Sequence, residues 1–350
     1  MRAIISAGGS GGHISPAISI ARELSKKDFE LLYIGNIDSL EERIAKKNKI
    51  PFKTIRVQKI YRYFTLKHIF FPFWLIYSLI RASVHIGRFK PDIFVGTGGF
   101  VCGSVGLSTV FCNCFIKKKI KIYLHEQNSF PGLSTRVVSR FCVMVFLGSV
   151  SAKRFFPKSV FTGNPISSKI RYTNKRQGES KTILILGGSQ GSISINKAVL
   201  KIANRLLEDG WFLLWQAGEN NIEELKTEFK KNSRLKLFGF TDNIGQIYAD
   251  TKIAVARCGA LSLAELQEMR IPSVLVPLPS AAANHQYYNA LAWQTKGLGI
   301  VLAEKSLNQQ TLLDAINRLD KDFNKFKHNF TTSSHKDAAR KIVEKIVKGE

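Results

Sequence analysis

The segment RAIISAGGSGGHISP (residues 2–16) recurs further along the chain as KTILILGGSQGSISI (residues 181–195). In register, Gly8, Gly9, Ser10, Gly12, Ile14 and Ser15 fall on Gly187, Gly188, Ser189, Gly191, Ile193 and Ser194. Each copy has a short apolar run, a glycine loop and an amphipathic stretch, Ala17–Leu24 in the first and Ala198–Leu207 in the second. That order reads as strand, loop and helix, twice over. Further apolar runs alternate with helical stretches: Leu31–Ile34, Asp92–Val95, Lys121–Leu124 and Cys142–Phe146, then Trp211–Gln216, Leu235–Phe238, Ile253–Ala256 and Ser273–Val276. Such alternation predicts parallel sheets covered by helices on both faces. The repeat predicts two of them, an α/β chain of two Rossmann-like, doubly wound domains.

In open sheets of this kind ligands sit at the carboxyl ends of the strands. Two such domains facing each other predict a cleft with the catalytic site inside it. The boundary is expected near Gly163-Asn164-Pro165, giving an N-terminal domain over 1–163 and a C-terminal domain over 164–334, with a polar hinge through Lys169–Ser180. An amphipathic final helix, Asp337–Val347 in the tail 335–350, is free to pack on either domain. At 350 residues, with 45% hydrophobic and 22% charged, the chain has material for two cores and is no disordered polymer.

The formal charge of +26 favours an anionic partner: nucleic acid, an acidic membrane face or a phosphorylated substrate. Because the lysines are spread along the whole chain, a lysine-rich background is the plain alternative. The five cysteines, Cys102, Cys112, Cys114, Cys142 and Cys258, are odd in number, lie among apolar or small residues and form no C-x-x-C pair. Buried free thiols in a reducing compartment are expected, and no metal. The N-terminal apolar stretch is too short for a signal peptide. Ile93–Phe115 carries no charge and is long enough for a membrane span, but its five glycines and its Ile-Phe-Val opening read better as buried strand, turn and packed helix. Ile69–Ile80, with Pro72 inside, is too short to span.

Neither glycine loop is a Walker A, since no lysine follows the last glycine ahead of a Ser or Thr, and neither keeps the G-x-G-x-x-G spacing. Small residues still let the backbone approach a ligand, and each loop opens a helix whose free N–H groups favour phosphate. A tight strand–helix turn without a ligand is the bland alternative.

A series of segments makes the comparison specific: Gly8-Gly9-Ser10-Gly11-Gly12-His13, Gly96-Thr97-Gly98-Gly99-Phe100-Val101, His125-Glu126-Gln127-Asn128, Gly163-Asn164-Pro165, Gly187-Gly188-Ser189-Gln190-Gly191, Arg257-Cys258-Gly259-Ala260-Leu261-Ser262, and His285-Gln286 with Asn289-Ala290. In this order, across nearly the whole chain, they resemble the MurG family of peptidoglycan glycosyltransferases. The resemblance implies a GT-B fold, with the donor nucleotide on the C-terminal domain and the acceptor on the N-terminal, membrane-facing one. It implies inverting transfer of N-acetylglucosamine from UDP-N-acetylglucosamine to the 4-hydroxyl of undecaprenyl-linked lipid I, giving lipid II. No cofactor is implied, and the lack of a D-x-D motif in the expected place agrees with metal independence.

By the same resemblance, Ser189 and its loop face the donor diphosphate, Glu265 accepts from the ribose hydroxyls and the Ile244 backbone meets the uracil. Ala260, Leu261, Ser262, Leu263 and Ala264 are counted with the donor site. Gln286 is expected on the sugar hydroxyls and Asn128 on the sugar or acceptor. Ser10, Gly11 and Gly12 are counted with the donor contacts too and shape the acceptor diphosphate pocket. His13 is the expected base, a neutral imidazole able to take the acceptor proton; Glu126 and His125, at a strand's carboxyl end, are rivals, and a structural histidine is the bland reading of His13. The family arginine after Gly-Asn-Pro is replaced by Ser167, with Lys169 and Arg171 as nearby cations.

Tyr61–Arg88 combines Phe64, Ile69, Phe70, Phe71, Phe73, Trp74, Leu75 and Ile76 with Arg62, Lys67, Arg81 and Arg88. That mixture suits an anionic bilayer surface, or else a packed helix. The expectation is a peripheral protein on the cytoplasmic face of the inner membrane. Three rivals stand beside this reading. One is a GT-B enzyme with another lipid or small acceptor. The second is a dinucleotide oxidoreductase using Asp38, which the glycine spacing disfavours. The third is a nucleic-acid binder, for which no common motif is present.

Overall fold

The computed structural model describes residues 1–58, 70–168, 170, 172, 181–188, 191–219, 221–229, 232–239, 241, 244–331 and 333–349. The chain divides into two compact units, Met1–Ile166 with Asp337–Glu350, and Ser167–Lys336.

The first unit is built on a seven-stranded parallel sheet. Its strands are β1 (Arg2–Ser6), β2 (Glu30–Asn36), β3 (Phe52–Ile55), β4 (Ile93–Gly96), β5 (Lys121–Glu126), β6 (Met144–Leu147) and β7 (Ser159–Phe161), in the spatial order β3-β2-β1-β4-β5-β6-β7. Strand order reverses between β1 and β4, the place where doubly wound sheets open a crevice. Because both faces are covered, the inner strands are apolar through their middles, as in Ala3-Ile4-Ile5, Leu31-Leu32-Tyr33-Ile34 and Ile122-Tyr123-Leu124. Ala3, Ile5, Tyr33, Val95 and Phe146 pack on one face with Ile14, Ala17, Ile18, Ala21 and Leu24 of helix α1 (Gly11–Ser25). Ile4, Ile34, Phe94, Leu124 and Leu147 pack on the other with Val101 and Val105, which belong to the helix following β4.

Between β2 and β3 runs α2 (Leu40–Lys47), capped by Ser39. Helices α3 (Phe71–Phe89), α4 (Gly99–Phe115) and α5 (Leu133–Val138) follow, α3 packing on α4 and α4 on α5. Ile93–Phe115 is thus a strand, a turn and a helix, and among the described residues no helix is long and apolar enough to cross a membrane.

The second unit repeats the plan with a six-stranded parallel sheet. It contains β8 (Thr182–Leu186), α6 (Ile193–Glu208), β9 (Phe212–Gln216), α7 (Ile222–Glu228), β10 (Leu235–Phe238), α8 (Ile244–Ala249) and β11 (Ile253–Ala256). There follow α9 (Ala260–Glu268), β12 (Ser273–Leu275), α10 (His285–Thr295), β13 (Gly299–Val301), α11 (Gln309–Lys321) and α12 (Phe323–His328). The order β10-β9-β8-β11-β12-β13 places the reversal between β8 and β11. Ile183, Ile185, Trp215 and Val255 form its core with Ile195, Val199 and Ile202 of α6 and Leu312 and Ile316 of α11.

The observed elements extend or shift the expected ones by a residue or a few. Three strands lie beyond the sequence reading: β3, β7 and β13. All three are short edge strands with half-exposed positions; Lys53, Thr54 and Ser159 interrupt β3 and β7, and β13 is only Gly299-Ile300-Val301. The chain passes between units after Ile166 rather than at Gly163. Most of the expected hinge, residues 169–180, lies outside the described residues.

Two glycines are dictated by close approach. At Gly99, with φ of +88°, a Cβ would stand 2.2 Å from the Gly8 carbonyl oxygen. At Gly191, with φ of +78°, it would stand 2.2 Å from that of Ala217. No L side chain fits either place.

The last helix, α13 (Ala338–Lys348), settles on the first unit against α1, burying Ile342, Val343 and Ile346 in the same cluster as Ile5 and Leu24. Ile342→Ala should therefore destabilise that unit by about 2–5 kcal/mol, the usual cost of emptying an Ile-sized core site. Amide hydrogen exchange should localise the loss to peptides of β1 and α1, with those of β8 and α6 unaffected.

Candidate functional site

In the first unit the loops after β1, β4 and β5 meet at the reversal of strand order. Gly8 N–H donates to the Gly98 carbonyl at 3.3 Å, tying the first two loops together. Ser10 precedes α1 without capping it through its side chain, and Gly9 to Gly12 are exposed, so the helix start presents bare backbone. His13 follows, half-buried, its ring against Gly98, where a Cβ would stand 2.8 Å from Nδ1. Thr97 Oγ1 donates to the His13 carbonyl at 2.7 Å. His13 Nδ1 lies 2.9 Å from Gln127 Oε1 and 3.1 Å from the Thr97 carbonyl.

β5 ends in His125 and Glu126, and Gln127 follows it, three polar residues with different duties. His125 is buried; its Nε2 lies 3.1 Å from the Gly163 carbonyl and its Nδ1 2.9 Å from Gln127 Nε2. Burial, with the nearby His13, pushes its pKa down to about 4, so it is neutral. The Glu126 carboxylate is also buried: Oε1 accepts from the backbone N–H and the side-chain amide of Asn128, at 3.0 and 3.1 Å, and Oε2 from Gly132 N–H at 3.2 Å. It organises the turn that follows. Asn164 Nδ2 donates to the Gln127 carbonyl at 3.2 Å, bringing the Gly-Asn-Pro segment to the same place.

In the second unit the loop after β8 leads to α6, which Ser192 caps by accepting from Ile195 N–H at 3.4 Å. The loop after β11 leads to α9, which no side chain caps. The loop is instead gripped from α10: Gln286 Oε1 accepts from Cys258 N–H and Leu278 N–H at 3.1 and 3.0 Å, and Asn289 Nδ2 donates to the Cys258 carbonyl at 3.1 Å. Ala260, Leu261 and Ser262 form the first turn of α9, and the positive end of the helix dipole there suits an anion.

Beside this loop Arg257 is fully committed. Its guanidinium donates to the Val276 carbonyl at 3.2 Å and to Ser194 Oγ at 2.8 Å, and pairs with Glu304 at 2.5 Å. Further along α9, Glu265 Oε2 accepts from Tyr248 Oη at 2.8 Å. Burial pushes the Glu265 carboxyl up to about 7, the tyrosine hydrogen bond opposing part of that rise.

Two models of glycosyltransferase family 28 match the chain, the N-terminal domain over residues 3–147 and the C-terminal domain over 182–346. A Finegoldia magna protein named UDP-N-acetylglucosamine–N-acetylmuramyl-(pentapeptide) pyrophosphoryl-undecaprenol N-acetylglucosamine transferase is 34% identical, over 99% of this chain and 97% of its own length. A Bacillus pumilus protein of the same name is 34% identical over 91% and 90%. The chain belongs to the MurG family of glycosyltransferases. The fold agrees: the crystal structure of Acinetobacter baumannii MurG superimposes with a TM-score of 0.78 at 23% identity, covering 99% of both chains. The two parallel-sheet units are thus those of a GT-B glycosyltransferase.

The MurG-family expectations meet the structure unevenly. Ser10, Gly11, Gly12 and His13 stand at one crevice with Glu126 and Asn128. His125 and Glu126, the rival bases, are both spent on the fold: the first is buried and neutral with both ring nitrogens engaged, the second holds three N–H groups. Glu265 sits in the middle of α9. Gln286, expected on sugar hydroxyls, spends its oxygen on two backbone N–H groups, which leaves Nε2 as the end able to meet a ligand. Leu263 and Ala264 are buried in α9, whereas Ala260, Leu261 and Ser262 are half-exposed at its start. Ile244 opens α8, and Ser167 is exposed. Ser189 lies outside the described residues, as do Lys169 and Arg171.

Four participants escaped the sequence reading: Gln127 as a partner of His13, Tyr248 on Glu265, and the Ser194–Glu304 pair around Arg257. Only Gln127 had a signal, its place between two singled-out residues. Burial keeps the Cys102 and Cys142 thiols protonated, pushed up to about 12 and about 11, while Cys114 is exposed, contrary to expectation. Among the described residues no cluster of three metal-ligating side chains occurs.

The helices α3, α4 and α5 leave large apolar side chains in water. On α3 Phe73 is 64% exposed and Ile76 58%, with Ile80 and Val84 beyond them; Phe111 and Phe115 on α4 and Leu133 and Val137 on α5 continue the series. Phe115 reaches 75%. Arg56 stacks on Trp74 at 4.2 Å, and Arg81, Arg88 and Lys117–Lys119 are exposed nearby in sequence. Tyr61, Arg62, Phe64, Lys67 and Ile69 lie outside the described residues.

The raised Glu265 carboxyl has a consequence for stability. Between about pH 4.5 and 7 the unfolded chain has released this proton while the folded chain keeps it. Its contribution therefore favours folding below that window and is lost as pH rises through it. Denaturation of the wild type and of Glu265→Gln at pH 5 and pH 8 should show a smaller pH dependence in the variant. Equal slopes would refute the assignment.

Proposed function

We propose that this chain transfers N-acetylglucosamine from UDP-N-acetylglucosamine to the 4-hydroxyl of the muramyl sugar of undecaprenyl-pyrophosphoryl-MurNAc-pentapeptide, inverting the anomeric centre. The near full-length likeness to relatives bearing that name carries the reading. The first unit takes the acceptor and the second the donor. His13 Nε2 accepts the proton as the 4-hydroxyl oxygen bonds to the anomeric carbon. The bond from that carbon to the β-phosphate oxygen breaks, and its electron pair leaves with UDP. The charge developing there is met by the positive end of the α9 dipole, and by the loop holding Ser189. Glu265 takes ribose hydroxyls on the carboxylate edge not used by Tyr248, the Ile244 backbone meets uracil, and Gln286 Nε2 and Asn128 meet the sugar.

The acceptor's lipid anchor gives the apolar surface of α3, α4 and α5 a purpose. Aromatic and aliphatic side chains rimmed by cations bind an anionic bilayer from one side. The enzyme works as a peripheral protein at the cytoplasmic face of the inner membrane, where its acceptor stays in the lipid.

Purified protein, UDP-N-acetylglucosamine and a lipid I analogue test the reaction. UDP release should depend on the analogue; release indifferent to it would favour a GT-B enzyme with another acceptor. His13→Gln should lower kcat by about 10²- to 10⁴-fold, as loss of a general base does, with KM for the donor little changed. For the membrane contact, Phe73→Ser with Ile76→Ser and Phe115→Ser should cut co-sedimentation with anionic vesicles by about tenfold or more, since each buried apolar side chain is worth about 1.5–3 kcal/mol. Affinity for UDP should be unchanged. Undiminished vesicle binding would remove this face from consideration.

A further inference from the structure

The groups behind His13 form a hydrogen-bond chain with a direction, and a backbone carbonyl sets it. The Gly163 carbonyl can only accept, so His125 Nε2, 3.1 Å away, carries the hydrogen. A neutral His125 then has a bare Nδ1. Gln127 Nε2 faces that Nδ1 at 2.9 Å, the Thr97 carbonyl at 2.8 Å and the His125 carbonyl at 3.1 Å. Three acceptors around one end of the amide leave a single orientation for it, with Oε1 turned to His13. There Oε1, at 2.9 Å, and the Thr97 carbonyl, at 3.1 Å, both face Nδ1. With two acceptors on that side, the neutral imidazole carries its hydrogen on Nδ1 and its lone pair on Nε2.

We propose that Gln127 is a positioning residue for the transfer reaction: oriented by His125, its amide oxygen holds His13 in the tautomer whose Nε2 accepts a proton, and stabilises the imidazolium that results. The proposal rests on His13 being the base. It explains why a buried histidine and a buried glutamine lie behind a half-exposed one: the buried histidine is never the base but gives the amide its polarity. The role is that of the carboxylate behind a catalytic histidine, played by a neutral group.

Nitrogen-15 NMR of the histidines in the full chain, at a pH where His13 and His125 are neutral, tests this directly. His13 is assigned by its loss in His13→Gln, and His125 by its loss in His125→Asn. His13 should show a protonated Nδ1 and a bare Nε2, and His125 the reverse; a protonated Nε2 on neutral His13 overturns the proposal without any kinetics. Kinetically, Gln127→Met should lower kcat about 10- to 100-fold, the range for a hydrogen bond to a charged group, with KM for UDP-N-acetylglucosamine little changed. Gln127→Glu keeps an acceptor facing His13 but sets an oxygen without a hydrogen among the Thr97 and His125 acceptors, so it should recover little of that loss. A Gln127→Met protein that binds UDP normally and keeps full kcat overturns the proposal, as does a Gln127→Glu protein with full kcat, since the orientation set by His125 would then not matter. If Gln127→Met does not fold, the NMR arm decides. Undiminished kcat in His13→Gln would remove the base assignment while leaving the tautomer result standing. Abolished activity there, with a normal Gln127→Met, would remove the relay alone.

Discussion

The contact of two backbones with no side chain between them governs the first crevice. Gly8 N–H bonds to the Gly98 carbonyl, and Gly99 lies so close over the Gly8 carbonyl that any Cβ would collide with it. This closeness follows from topology. β1 and β4 are neighbours at the reversal of strand order, and their helices leave to opposite faces of the sheet, α1 into one core and α4 into the other. The parting of the helices opens the crevice; the glycine contact keeps its floor shallow enough for His13 to sit on it.

Around that floor, successive residues at the end of β5 and just past it divide the labour. Adjacent side chains of a strand point to opposite faces. Glu126 turns into the fold and gathers three N–H groups of the following loop, while His125 and then Gln127 line the path from Gly163 to His13. Burying so many polar groups is costly unless each finds a partner. Here the partners are mostly backbone carbonyls and N–H groups at strand ends, which cannot move or change protonation. A buried network anchored in this way has few alternative arrangements, so it can impose a tautomer on the one member that reaches the crevice.

The second unit solves a different problem with the same plan. The loop before α9 is held from behind by Gln286, Asn289 and the Arg257–Glu304–Ser194 cluster, which fixes where that helix starts. Arg257 therefore acts through the loop. Further along α9, burial holds the Glu265 carboxyl up at about 7, against the lowering hydrogen bond from Tyr248.

The amino-acid sequence alone determined the two-unit, doubly wound plan, because central parallel strands are buried on both faces and leave runs such as Ile4-Ile5 and Ile183-Leu184-Ile185 that no loop or surface helix needs. The ordered motifs likewise marked the family and brought His13, Glu126 and Glu265 forward as site residues. The edge strands β3, β7 and β13 escaped it because they are only three or four residues long and half-exposed. Only the tertiary structure decided that α13 closes the first unit, that His125 and Glu126 serve the fold, and that Gln286 spends its oxygen on backbone. Residue type states what a side chain can donate or accept. Which partner takes that capacity depends on groups distant in the chain, Gly163 for His125 and Cys258 for Gln286, and only folding brings them within 3 Å or so of one another.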